Sequence, residues 1–168
     1  RGMHGSVVRH PKMYAAVRNG PNEGRSTLDR WVVDPKGAPV KESRLSDHGQ
    51  EFPRHDERLI GKPYRYGYAG AVGDGLVYGG LLKHDLQTGE SLHRSDAHLQ
   101  YQEPVFVPVS DNAAEDEGWL MAYAHNKDRN AADVVILHAQ DFMGAPVATI
   151  ELPTRVPFGF HGNWCPTD

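Results

Sequence analysis

Histidine is the residue type through which this sequence could do chemistry. There are ten of them: His4, His10, His48, His55, His84, His93, His98, His125, His138 and His161. A neutral imidazole is a common metal ligand, and its protonation changes near neutral pH. No pair of them falls in a His-Glu-x-x-His frame, so a helical zinc-protease site is excluded. Most of the first nine lie in charged loops or at strand ends, where a solvated histidine is the expectation. His161 differs because it stands in Phe158-Gly159-Phe160-His161-Gly162. The glycines permit close backbone approach, and an aromatic wall would limit water access. Local context leaves two readings of His161 open, a metal ligand and a histidine without a metal.

Two carboxylates invite a related question. Glu51 precedes Phe52-Pro53, and Glu103 precedes Pro104-Val105-Phe106-Val107-Pro108. A carboxylate at the mouth of an apolar strand is costly to bury without a partner. That partner is either one of the many arginines or the second ring nitrogen of a metal-bound histidine. Tyr64, Tyr66 and Tyr68 recur at period two, which predicts one face of a strand used for packing. Glu115-Asp116-Glu117 lacks the spaced oxygen ligands of a calcium loop and reads as a solvated turn. The single cysteine, Cys165, excludes a disulfide framework and a cysteine-based zinc site, and reads as a spectator thiol.

The elements that must position these groups are strands. The 168 residues suffice for one ordinary domain, and 39% hydrophobic with 24% charged residues describes a globular chain. Eighteen Gly and twelve Pro, without a long helical pattern, favour a turn-rich all-β protein. Strand signals fall at Ser6–Val8, Thr27–Asp34, Val40–Leu45, Lys62–Ala69, Leu76–His84, Ser91–Arg94, Glu103–Pro108, Trp119–Ala124, Asp133–Ala139 and Val147–Leu152. Pro35–Pro39 and Asp85–Glu90 read as hairpin turns. Asn19–Gly24 reads as a loop, and Gln50–Arg58 as too irregular for a regular element. The expectation is eight to eleven short strands. A net charge of -4 gives no basic footprint for nucleic acid and no polybasic patch for a membrane surface. No apolar run has the ~20 residues of a transmembrane helix.

Five ordered motifs then resemble the carotenoid cleavage oxygenase family, in the bacterial branch that includes lignostilbene dioxygenases. They are Glu51-Phe52-Pro53-Arg54 with Gly61–Tyr68; Gly80-Leu81-Leu82-Lys83-His84-Asp85; Glu103–Pro108; Glu115–Leu120; and Val156–Gly162. Gly20–Gly24 and Leu28-Asp29-Arg30-Trp31 add to the likeness. The resemblance implies part of a seven-bladed β-propeller with antiparallel sheets, about two to three blades of it. It implies a non-haem Fe(II) held by four histidines, three of them oriented by glutamates, and oxidative cleavage of a conjugated C=C bond by O2 into two carbonyl products. His161 matches the last iron ligand, Glu103 the glutamate that orients it, and Glu51 the glutamate that orients the third histidine. The other three ligands correspond to sequence upstream of Arg1. Val7-Val8-Arg9-His10-Pro11-Lys12-Met13 resembles the segment after the third ligand, so neither His4 nor His10 is promoted.

The expectation is therefore that residues 1–168 are the C-terminal portion of a single propeller domain, inactive alone, with two unpaired blade edges. The implied partners are a small apolar conjugated substrate and O2, with no nucleic acid. A peripheral membrane contact of the parent is not readable from these residues, and the expected compartment is the cytoplasm. The alternative function is a metal-free β-propeller binding or scaffold module.

Overall fold

The computed structural model describes residues 3–10, 25–73 and 77–167. It is built from three antiparallel sheets that follow one another along the chain. The first contains β1 (Met3–Arg9), β2 (Thr27–Val33) and β3 (Lys41–Ser46), in that order. The second runs β4 (Gln50–Arg54), β5 (Tyr66–Val72), β6 (Tyr78–Asp85) and β7 (Ser91–Arg94). The third is built from β8 (Leu99–Tyr101), β9 (Val105–Pro108), β10 (Gly118–Asn126), β11 (Ala131–His138) and β12 (Ala148–Glu151). Its order is β12-β11-β10-β8, and β9 pairs with the other end of β10. Among the described residues the one helical piece is a single 3-10 turn, Glu57–Leu59.

The hairpins follow from turn chemistry. Asp85 accepts from the backbone N–H of Gln87 at 2.9 Å and of Thr88 at 3.3 Å, and Gly89 then takes φ +81°. Gly37 at φ +86° serves the β2–β3 turn in the same way. The expected strands recur within a few residues of their predicted ends, while the Asn19–Gly24 loop and Leu76 lie outside the described residues.

Two strands have no counterpart among the expectations. β4 occupies a stretch that reads as irregular, because its ladder with β5 shifts register between Glu51 and Arg54 and Pro53 sits within it. A bulged edge strand with a proline shows no alternation. β8 is only three residues long, too short for any periodicity to show.

The main core lies between the second and third sheets. Tyr68, Leu81, Tyr101, Phe106, Leu120, Val135, Leu137 and Phe142 bury their side chains there, and the Tyr68 and Phe106 rings stack at 5.7 Å. Ala69, Ala71 and Leu82 form a smaller cluster. The first sheet reaches the second through the Tyr64 hydroxyl, which donates to Ser6 Oγ at 2.5 Å, and through Ser26 Oγ, which donates to Gln50 O at 2.7 Å. A cleft of about 1020 Å³ remains between them, lined by Ser6, Leu28 and Arg30 on one side and His55, Tyr64 and His84 on the other.

Three local expectations are corrected. Tyr64 precedes β5 and stacks on His55 at 4.5 Å, so the three tyrosines do not share one strand face. The acidic turn is a clasp as well as a solvated loop. Glu115 accepts from the backbone N–H of Arg65 and Tyr66, and Asp116 pairs with buried Lys83 at 2.9 Å. His84 and His125 are buried, on the interior strands β6 and β10.

Candidate metal centre

Both candidate carboxylates sit where an edge strand interrupts its ladder. Glu51 lies at the β4 bulge, and the next residue, Phe52, has φ +54°. A bulky side chain there costs on the order of 1–3 kcal/mol, and such strain persists only where surrounding structure imposes it. Glu103 lies in the gap between β8 and β9, where Gln102 N–H still reaches Tyr123 O at 2.9 Å and Pro104 has no N–H to give. The two sites share one neighbour: a Cβ on Gly70 of β5 would lie 3.5 Å from Gln102 O and 3.8 Å from Glu51 O. An interrupted ladder releases the side chain from strand alternation and lets it turn along the sheet edge.

Glu103 is fully engaged. Its Oε1 accepts from His161 Nδ1–H at 3.0 Å and from Arg54 Nη1 at 3.3 Å, and its Oε2 accepts from Gly162 N–H at 2.8 Å. With a side chain only 6% exposed, it is a buried carboxylate whose charge is met by donors on both oxygens. Donation from Nδ1 fixes the tautomer and leaves the lone pair on Nε2, the arrangement that a metal-ligating histidine requires.

Rings surround the pair. Phe52 meets the His161 ring edge-on, with centroids 5.1 Å apart and planes at 79°. Phe52 also lies nearly parallel to Tyr78 at 6.3 Å, and Tyr78 to Phe158 at 5.1 Å. Burial first, then Glu51 and Glu103, raises the pKa of the Tyr78 phenol and keeps it protonated. The expected aromatic wall around His161 is incomplete. Its side chain is 69% exposed, and the neighbouring Phe160 is 81% exposed.

Glu51 also carries a histidine. His10 Nε2 meets Glu51 Oε1 in a short contact, with both side chains largely buried. The resemblance pairs Glu51 with a histidine that corresponds to sequence upstream of Arg1; in the structure the end of β1 comes to the β4 bulge and brings His10 to Glu51. His4 lies in β1 among the residues lining the cleft between the first two sheets, away from this contact.

Sequence reasoning missed three other groups. Arg54 and Asn163 join the Glu103 network across long separations, and His125 lies edge-on to Phe158 at 6.4 Å with its Nδ1 buried and unpartnered. Arg54 stands beside Glu51 in one motif, which was its only signal. Cys165 is exposed and free.

Among the described residues no group of three or more His, Cys, Asp and Glu side chains is placed to hold a metal ion. The chemistry of the donors nevertheless suits Fe(II) at one position. A neutral imidazole with an outward Nε2 and a carboxylate behind it is one corner of an imidazole-ligated site.

Residues 4–166 match the family model described as retinal pigment epithelial membrane protein, and the chain belongs to that family. It is 41% identical to a carotenoid cleavage oxygenase of Mycobacterium tuberculosis over 170 residues, covering 96% of this chain and 34% of that protein. It is 36% identical to the apocarotenoid-15,15'-oxygenase of Synechocystis, covering 89% of this chain and 31% of the relative. The crystal structure of cobalt-substituted Synechocystis ACO superposes with a TM-score of 0.90 at 30% identity, over 99% of this chain and 37% of that one. The chain thus spans about a third of the length of these relatives.

Proposed function

We propose that residues 1–168 are the C-terminal portion of a single seven-bladed β-propeller domain, that of a non-haem Fe(II) dioxygenase. The reaction is oxidative cleavage of a conjugated C=C bond, in a carotenoid, apocarotenoid or stilbene-type substrate, to two carbonyl products. The observation that carries this reading is the Glu103–His161 pair, with Gly162 N–H on the second carboxylate oxygen. Membership of the family and the named oxygenase relatives support it.

His161 offers Nε2 to the iron. Glu103 holds the ring by its Nδ1–H and makes the imidazole a stronger donor. Glu51 holds the third histidine of the complete site, and in this chain His10 occupies its carboxylate. When bound, iron supplies the binding and activation of O2. Phe52, Tyr78 and Phe158 offer flat apolar faces beside His161, suited to a planar conjugated substrate and unfavourable to water.

The test is turnover by the full-length protein. A stilbene and an apocarotenoid are supplied under air, and the two carbonyl fragments are identified by mass. Cleavage of either one, lost on His161→Ala, is expected. Unchanged cleavage by the His161→Ala protein contradicts the reading.

A further inference from the structure

Resting on that reading, we infer that Arg54 is a positioning residue of the metal centre: its guanidinium fixes the Glu103 carboxylate and clips the segment carrying His161 to the second sheet. Arg54 ends β4, immediately beyond the register shift that starts at Glu51. It is therefore held on the edge strand that faces Glu103, with its side chain 18% exposed.

Its two terminal nitrogens do different work. Nη1 donates to Glu103 Oε1 at 3.3 Å, the same oxygen that accepts from His161. Nη2 donates to Glu57 Oε1 at 2.8 Å and to Asn163 Oδ1 at 3.2 Å. Asn163 closes the loop, because its Nδ2 donates to Glu57 Oε2 at 3.1 Å. One planar fork thus joins the carboxylate behind His161 to the amide two residues after it. A lysine, a point charge on a flexible stem, cannot span both.

The segment needs such a clip. After Glu151 the chain forms no further strand among the described residues. From Gly159 to Asn163 it is held by Gln102, which accepts from Gly159 N–H at 3.1 Å, and by Glu103, Arg54 and Glu57. Losing Arg54 removes the charge-assisted partner of Glu103 Oε1 and one of the two contacts of Asn163 together, leaving Asn163 on Glu57. The Glu103 carboxylate is then held only by His161 Nδ1–H and Gly162 N–H, both on the segment it has to fix. A ligand so loosened gives a longer and less uniform metal bond, and partners of this kind typically change metal affinity 10–100-fold.

The experiment uses the full-length protein loaded with Co(II), comparing wild type, Arg54→Met and Arg54→Lys. Three quantities are read: the visible Co(II) absorption bands, the metal dissociation rate, and amide hydrogen exchange at Gly162 against exchange in β10 and β11. We expect Arg54→Met to shift the bands, to speed metal loss about 10-fold, and to speed exchange at Gly162 while β10 and β11 stay protected. Arg54→Lys keeps the charge beside Glu103 and loses the fork, so it falls between the two. Wild-type bands, dissociation and Gly162 exchange in Arg54→Met overturn the inference. If Arg54→Met does not fold, the same comparison is decided by Arg54→Lys. A wild-type protein that takes up no metal defeats the proposed function, and Gly162 exchange in the metal-free variants still decides whether Arg54 holds the segment.

Discussion

Glu103 and His84 show how differently two buried titratable residues are used. Glu103 is held by three donors that meet its two oxygens. Glu103→Gln keeps the shape but weakens the acceptor for His161, and should lower metal affinity about 10–100-fold with the melting temperature little changed, which titration of the full-length protein checks. His84 is buried neutral: its Nε2–H donates to Gln50 Oε1 at 2.8 Å and its Nδ1 accepts from Ser91 Oγ–H at 2.7 Å. Burial, and secondarily His48, pushes its pKa down to about 4. Its folded-state pKa lies below the unfolded value of about 6.5, so its stability contribution is intact above ~6.5 and is lost as pH falls towards 4, by about 3 kcal/mol. Urea unfolding between about pH 7 and pH 4 should show that slope in wild type and a flatter one in His84→Gln. In the sequence, His161 stood out by its glycine and phenylalanine flanks, and Glu103 by its prolines. Arg54 did not, because its contact with Glu103 spans 49 residues and depends on two sheets docking.

Strand positions were legible wherever alternation survived. Thr27–Asp34 alternates and appears as β2, Thr27–Val33, and the strand read at Asp133–Ala139 appears as β11, Ala131–His138. β4 did not, because the bulge that presents Glu51 also destroys the period by which a strand is recognised. The irregularity that hid this element is what frees its side chains for the site. Sheet packing has its own demands. A Cβ on Gly118 would lie 2.3 Å from Val107 O and 2.8 Å from the Phe106 ring, so Gly118→Ala should push β9 from β10 and cost about 1–3 kcal/mol in denaturant unfolding. Lys83 ties the second sheet to the third through Asp116 Oδ2 at 2.9 Å and Ala139 O at 2.8 Å. Lys83→Met leaves Asp116 without its cation and should destabilise by about 3 kcal/mol, by the same measurement.

For the molecule as a whole, composition and turn spacing were enough for an all-β chain of antiparallel sheets. They could not rank sandwich, barrel and propeller, because each satisfies the same local rules. Three consecutive antiparallel sheets, together with the likeness to the Synechocystis oxygenase structure, resolve that ambiguity toward the propeller. On the proposed function the iron takes three further imidazoles besides His161, and among the described residues no group of side chains is placed to supply them. The 168-residue chain on its own should therefore bind iron weakly and release no carbonyl products from a stilbene, as a direct assay would show.

The central claim is that His161, oriented by Glu103, is an iron ligand. It is tested most directly by the iron content of the full-length protein after anaerobic loading and desalting, with circular dichroism confirming the fold. About one iron per chain is expected in wild type and almost none in a folded His161→Ala protein. A folded His161→Ala protein that retains a full equivalent of iron would contradict it.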